Sequence, residues 1–387
     1  MSDPGPGMGS SHTDKERGNA VVTSKVTLDE RPVGDSEVGR SAARTDSTRP
    51  ARRRSREVVR VTVAVGMLAG VVSIPFLGVT DSTLVLISNV AMYAALGANW
   101  NLISGYTGYI DFGHAVFFGI GGYATAIAMV HFEMPLFAVF PIALCAAAIF
   151  AVAIGLPLLR VRGIYFSIAM LGAFLGMREI ARLLSFTGGG SGMTIPPWMA
   201  ENGRTYFYFG FVGLAALGLG LLAWVRRSQL GSSLIAVRED EEGAAARGVN
   251  TTAVKLTAFV TAASLTAVVG ALWAYQNTFV DPEILFREDL LLYMALVVIV
   301  GGFGTVWGPL VGAITVIFIR DVLAANFVQF HQLILGVFLL AIVLLLPNGI
   351  VGSTVSARSL MERAAAGLRQ LRRRERRSPR RDGGTGR

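Results

Sequence analysis

The sequence predicts an all-α polytopic integral membrane protein with about ten transmembrane helices, some of them broken or half-length. Three observations carry that expectation. Of 387 residues, 52% are hydrophobic and only 16% charged, with a positive mean hydropathy, proportions foreign to a water-soluble domain. The apolar residues gather in runs approaching the roughly 20 needed to cross hydrocarbon. The charges gather elsewhere, in two tails and in one polar island at 226–255, RRSQLGSSLIAVREDEEGAAARGVNTTAVK.

Residues 1–57 are rich in Gly, Ser, Thr, Pro and charge and show no periodic apolar face, the composition of a disordered tail. A cleaved signal peptide would place its apolar stretch within the first ~30 residues. The first such stretch begins at Val58, so that span is expected to be retained. Spans are expected at 58–79, 83–104, 109–131, 135–159, 163–184, 205–225, 256–277, 290–302, 308–324 and 331–351. Arginines in both tails, Arg160, Arg162 and the basic residues of the island mark one face as cytoplasmic, and Asp281, Glu283, Glu288 and Asp289 mark the other as external. Both termini are then cytoplasmic, which requires an even number of crossings. GGGSG at 188–192 reads as a flexible external loop. The spans 290–302 and 308–324 are short and meet at GGFGTVWGP, which predicts half-helices around a glycine break. Such irregular backbone is tolerated at membrane depth only where protein or a water-filled cavity covers it. Residues 353–387 form a second basic cytoplasmic tail.

The net charge of +9 raises nucleic acid as a partner, but Arg52, Arg53, Arg54 and Arg56 abut the first span. Basic tails beside spans serve topology and contact with anionic membrane lipid, so no nucleic-acid role is expected. Cys145 is the only cysteine and lies in an apolar run, which excludes an intrachain disulfide and a cysteine-based metal site. No GxxxxGK[ST] loop is present, and Lys15, Lys25 and Lys255 are the only lysines, so the chain has no phosphate-cradling loop of its own. His12, His114, His131 and His331 are scattered without zinc spacing, and no GxSxG elbow occurs. No catalytic residue, cofactor site or metal site is expected.

Two glycine-rich segments stand out within the apolar sequence. In ISGYTGYIDFGHAVFFGIGGY, residues 103–123, Gly105, Gly108, Gly113, Gly119, Gly121 and Gly122 interrupt a spanning run, with Asp111 and His114 three residues apart among them. The glycines fit close helix packing. The carboxylate is costly at mid-membrane, by about 2.5–3.5 kcal/mol on insertion scales, and so needs a cavity or a partner. Asp111 and His114 are therefore candidates for lining or gating a path, with a position near the cytoplasmic turn as the alternative. IVGGFGTVWGPLVGA, residues 299–313, echoes the first segment and adds Gly302 and Gly304 as candidates. Asn99 and Asn101, just before the first segment, can touch substrate or hydrogen-bond across helices.

The island itself alternates small and charged residues at helical spacing and is punctuated by Gly231, Gly243 and Gly248. It predicts a short helix lying across the membrane surface, where a partner can push it.

Five blocks, taken in order, resemble the permeases of high-affinity branched-chain amino acid ABC importers, with the LivM-type subunit the closer likeness. They are NWNLISGYTGYIDFGHAVFFGIGGYATA, LRVRGIYFSIAMLGAF, SQLGSSLIAVREDEEGAAARGVNTTAVKLTAFVTAASLTAVVGALWA, LVVIVGGFGTVWGPLVGA and LPNGIVG. The likeness runs over about residues 83–352, leaves both tails outside, and makes 58–352 the permease domain. It implies an importer of two related permeases, two ATP-binding subunits that hold ATP and magnesium, and an extracytoplasmic substrate-binding protein, in a bacterial inner membrane. It further implies that the island carries the loop that docks on an ATPase, with Arg238, Glu239, Glu241, Ala244, Ala246, Gly248 and Asn250 on the family pattern. Ala245 stands where an acidic residue is usual, and Arg247 where an aliphatic one is. Asp111 replaces a small hydroxyl residue and Tyr109 a glutamine. The implied cargo is a branched-chain or other hydrophobic amino acid, with urea, short amides or another small solute as alternatives. From another class, an ion-coupled secondary transporter would use Asp111 and His114 as its relay, and a membrane scaffold would recruit partners through its charged tails.

Overall fold

Asp81 opens α1 (Asp81–Trp100), which runs without interruption into a π-helical turn, Asn101–Gly105. Together they make a continuous apolar helix of 25 residues, about 37 Å long and ample for a bilayer. The computed structural model describes residues 70–197, 203–326 and 349–352, with isolated positions at 66, 333, 334, 336, 337, 340, 341 and 344. Both expected tails, and parts of the expected spans 58–79 and 331–351, lie outside the described residues.

The expected span 109–131 needs correction, because its helix, α2 (Ala115–His131), begins only at Ala115. The delay has a local cause. Gly108 turns into the left-handed region at φ 77, and the Asp111 carboxylate takes the N–H of Gly113 at 2.9 Å. Neither is compatible with an uninterrupted helical ladder. The next three expected spans appear as α3 (Leu136–Leu158), α4 (Ile164–Leu183) and α5 (Gly203–Arg227), within two residues at each end.

The segment 188–192, expected to be a flexible external loop, leads into a clasp. Met193–Thr194 (β1) pairs antiparallel with Phe279–Val280 (β2), Met193 opposite Val280 and Thr194 opposite Phe279. The Ile195 N–H adds a bond of 2.7 Å to the Thr278 carbonyl. Among the described residues the helical architecture thus carries one two-residue ladder, joining two loops at the same end of the bundle.

The polar island folds into α6 (Gln229–Glu239) and α7 (Glu241–Ala246) and then enters α8 (Thr251–Asn277). Three polar caps in series set these boundaries. Ser228, Asp240 and Asn250 each accept the N–H of the residue three positions on, which satisfies an otherwise orphaned donor. The Asn250 cap explains why α8 starts at Thr251 and not at the expected 256. After a single turn, α9 (Pro282–Leu285), the chain forms α10 (Glu288–Gly301) and α11 (Gly308–Asn326). They pack as an antiparallel hairpin tipped by residues 302–307: a Cβ on Gly312 would lie 1.7 Å from the Val297 carbonyl oxygen, and one on Gly301 1.8 Å from that of Gly308.

Burial sorts the helices. The spans containing α1 and α8 are 56% and 61% buried, against 22% and 28% for α3 and α4, so α1 and α8 are the inner helices. Among the residues α3 and α4 turn outward are Phe137, Ile149, Ile164, Ile168 and Leu183, an apolar surface suited to lipid. Between α2 and α8 the backbones nearly touch: a Cβ on Gly121 would lie 1.9 Å from the Ala267 carbonyl oxygen, and one on Gly270 2.1 Å from that of Phe118. Gly270→Leu therefore forces the helices apart and lowers stability by about 3 kcal/mol, read as a drop in thermal midpoint in detergent. Gly213→Ala, at a position with open space around it, is the control and should stay within about 0.5 kcal/mol of the parent.

Candidate functional site

Two breaks in helical hydrogen bonding meet at the island end of the bundle. One is the π turn Asn101–Gly105 and the other is the hairpin tip, residues 302–307. Each break frees backbone groups that are expensive to leave unpaired away from water. Asn101, with no exposed surface, serves the second break from the first. Its Nδ2 donates to the Thr305 carbonyl at 2.8 Å, and its Oδ1 accepts the Gly304 N–H at 2.9 Å. The two backbones lie against each other here: a Cβ on Gly304, whose φ is 72, would stand 3.0 Å from the Gly105 carbonyl oxygen. Gly302 backs onto Gly349, where a Cβ would meet its Cα at 2.6 Å.

Arg238, in the last turn of α6, closes this junction. Its Nη1 donates to the Gly105 carbonyl at 2.8 Å, and its guanidinium carbon lies 5.1 Å from the centroid of the Phe303 ring. Its stem lies along Gly108, with Cγ 3.1 Å from where a Cβ there would be. A single side chain of the polar island thus touches both breaks and the turn that follows α1.

A second anchor stands beside the first. Lys255, only 2% exposed, donates to Glu241 Oε1 at 2.7 Å, to the Leu159 carbonyl at 2.9 Å and to the Tyr109 hydroxyl at 3.2 Å. The Tyr109 hydroxyl in turn donates to Glu241 Oε2. Burial would raise the Glu241 pKa, but the hydrogen bonds from Lys255 and Tyr109, with the Lys255 charge, hold it below the ordinary carboxylate value. The first residue of α7 is thereby fastened to the turn between α1 and α2 and to the end of α3.

Asp111 and His114 are brought together and enclosed, both without exposed surface. Asp111 Oδ2 lies 2.9 Å from His114 Nδ1, and His114 Nε2 lies 3.0 Å from the Thr266 hydroxyl of α8. The backbone of Asp111 is held as well, donating to Ser104 Oγ at 3.1 Å and accepting from Trp100 Nε1 at 2.9 Å. Gly113 fits directly against the Met170 carbonyl of α4, 2.1 Å from where a Cβ would be. Within this chain the pair braces the segment from the π turn to α2.

Of the residues nominated from sequence, Gly108, Arg238, Gly302 and Gly304 converge on the junction, and Asp111, Gly113 and His114 stand behind it. Asn99 faces α5, its Oδ1 3.4 Å from where a Gly218 Cβ would be. Around Arg238 and Glu241, the residues Ile235, Glu239, Asp240, Glu242, Ala245, Arg247 and Gly248 form an exposed surface, with Ala244 buried beneath it. Sequence reasoning read Lys255 only as a face-marking charge and passed over Thr266 altogether. Lys255 had a legible signal, a lysine beside an apolar span with Glu241 in the same island, whereas Thr266 had none.

The family described as branched-chain amino acid transport system / permease component matches residues 81–345. The high-affinity branched-chain amino acid transport system permease protein LivM of Escherichia coli strain K12 is 28% identical over 336 residues, covering 78% of this chain and 77% of that protein. The LivM protein of Salmonella typhimurium is 28% identical over 296 residues, 68% of each chain. The LivH protein of Salmonella typhimurium is 24% identical over 285 residues, 67% of this chain and 91% of its own length. No solved structure matches the chain. The match over residues 81–345, most of the chain, shows that the chain belongs to the branched-chain amino acid transport permease family.

Proposed function

We propose that this permease subunit imports branched-chain or other hydrophobic amino acids across a bacterial inner membrane, powered by two partner ATPases that hold ATP and magnesium. A second, related permease completes the pathway, and an external binding protein delivers the cargo. Both termini and the polar island face the cytoplasm. The observation that carries this reading is the reach of Arg238 from the exposed island to both helix breaks. An ATPase that docks on the exposed surface around Arg238, Glu239 and Gly248, over the buried Ala244 and the tethered Glu241, and shifts α6 then acts through Arg238 on Gly105, Gly108 and Gly304, with Gly302 next to them in the hairpin tip. Asn99 and Asn101 lie along the moving end of α1, and Asp111, Gly113 and His114 hold the segment that must stay still. A docked partner drives the change only through its different affinity for the two arrangements.

The test uses the complete importer in proteoliposomes, following ATP hydrolysis and leucine uptake together. Arg238→Gln should lower uptake per ATP hydrolysed by about tenfold, the worth of a charge-assisted hydrogen bond, with the complex still assembled. An unchanged ratio of uptake to hydrolysis would refute the coupling role. Urea and short amides offered to the same vesicles examine the alternative cargo, and failure of ATPases to co-purify with the chain would argue for a transporter that works alone.

A further inference from the structure

We propose that Arg287 and Arg320 form a recognition site for the carboxylate of the transported amino acid, at the end of the hairpin opposite the Arg238 junction. This rests on the amino-acid cargo proposed above. The first observation is one of depth. Helix α10 has 14 residues, about 21 Å, against a hydrocarbon core of about 30 Å. With its tip held at the island end, its N-terminus at Arg287 and Glu288 is recessed about 9 Å below the opposite face.

The second observation is convergence of charge. Arg287 Nη2 donates to the Tyr93 hydroxyl at 3.2 Å, while the Arg320 guanidinium lies 5.5 Å from the Tyr93 ring centroid and 5.4 Å from that of Tyr293. Tyr93 is the midpoint of the continuous 81–105 helix, so this cluster sits near the middle of the span. An arginine at that depth marks a site by default, because desolvating it is costly. The carboxylates that pair with these arginines are chain neighbours: Asp321, 2.7 Å from Arg320 Nη2, and Asp289, 3.4 Å from Arg287 Nε. Among the described residues no carboxylate bridges the two guanidiniums. Two cations drawn to one tyrosine in a low dielectric repel each other, and an anion entering between them relieves that repulsion. Guanidinium forks match the geometry of a carboxylate. Asp321 and Asp289 offer acceptors for the ammonium of the same zwitterion, and Tyr93, Tyr293 and the apolar walls of α1 suit an aliphatic side chain.

The test uses the importer assembled with its partner permease, ATPases and binding protein, and tritiated L-leucine as probe. In proteoliposomes, Arg320→Gln and Arg287→Gln should each cut leucine uptake about tenfold or more, and Arg320→Lys should retain part of it, at matched yield of the complex. In nanodiscs without binding protein, leucine bound to the parent complex should be displaced by 4-methylpentanoate, which keeps the carboxylate, and not by 3-methylbutylamine, which lacks it. That preference should vanish in Arg320→Gln, a change that a merely structural arginine would not produce. Unaltered uptake and preference in both glutamine variants overturns the site while leaving the cargo assignment standing. If Arg320→Gln does not assemble, Arg320→Lys and Arg287→Gln decide the matter, and parental behaviour in both overturns it. A parent complex that carries no hydrophobic amino acid removes the cargo reading and this site together.

Discussion

Lys255→Ala should lower the stability of the permease by about 3 kcal/mol or more, the usual consequence of removing one partner from a buried ion pair. The alanine leaves Glu241, the Leu159 carbonyl and the Tyr109 hydroxyl without the ammonium that all three engage. Thermal unfolding in detergent reads the loss directly, and a midpoint equal to the parent's would show that the pair contributes nothing. The double variant Lys255→Met with Glu241→Leu should recover most of the stability, because an apolar pair of similar volume removes the stranded charge. It should not recover transport, since α7 is then no longer fastened to the turn after α1. Acid should partly imitate the single variant. The folded pKa of Glu241 lies below its unfolded value, so its contribution is complete above the ordinary glutamate value of about 4.3. That contribution is lost as pH falls through the depressed folded value.

Asn101→Leu should be comparably damaging for a different reason. Leucine fills the volume but takes the side-chain partner from the half-buried Gly304 N–H and Thr305 carbonyl, together at about 1–3 kcal/mol. The sharpest measurement is amide hydrogen exchange over residues 299–309, which should accelerate in the variant while exchange in α3 stays as in the parent. Asn101→Asp keeps the acceptor for Gly304 but buries a charge and turns an oxygen toward the Thr305 carbonyl, so it should not improve on the leucine variant. Unchanged exchange at the hairpin tip in Asn101→Leu would mean that the breaks are not joined through this side chain. Uptake should fall as exchange accelerates, because a loosened tip no longer follows Arg238.

What the sequence revealed and what it concealed divides by range. The runs that became α3, α4 and α5 were legible because each is a local count of apolar residues against bilayer thickness. The Asp111–His114 pair was legible for the same reason, two polar residues one helical turn apart. Its third member, Thr266, lies 152 positions from His114 and carries no mark distinguishing it from other threonines of α8. The two glycine segments were recognised as alike, but nothing local could show that Asn101 sews one to the other across more than 200 positions. The start of α2 was misplaced because hydropathy continues through Tyr109, Ile110 and Phe112 while the backbone does not. There a side-chain carboxylate and a left-handed glycine outweigh the apolar pattern. Arg320 was passed over as a charge inside an expected span, although a cation in that setting is itself a signal.

The π turn at Asn101–Gly105 also constrains how this chain can change length. A π turn is an α-helix holding one surplus residue, so everything beyond it is rotated by about 100° relative to an uninterrupted helix. Deleting any one of Leu102, Ile103 or Ser104 would let the helix relax to regular geometry. It would also swing Tyr109 away from Glu241 and the Gly105 carbonyl away from Arg238. The same deletion at the exposed Glu133, between α2 and α3, would merely shorten a connection. Tolerance to insertions and deletions should therefore be sharply uneven along the chain, with this one turn, regular in its apolar content and irregular in its winding, among the least forgiving five residues in it.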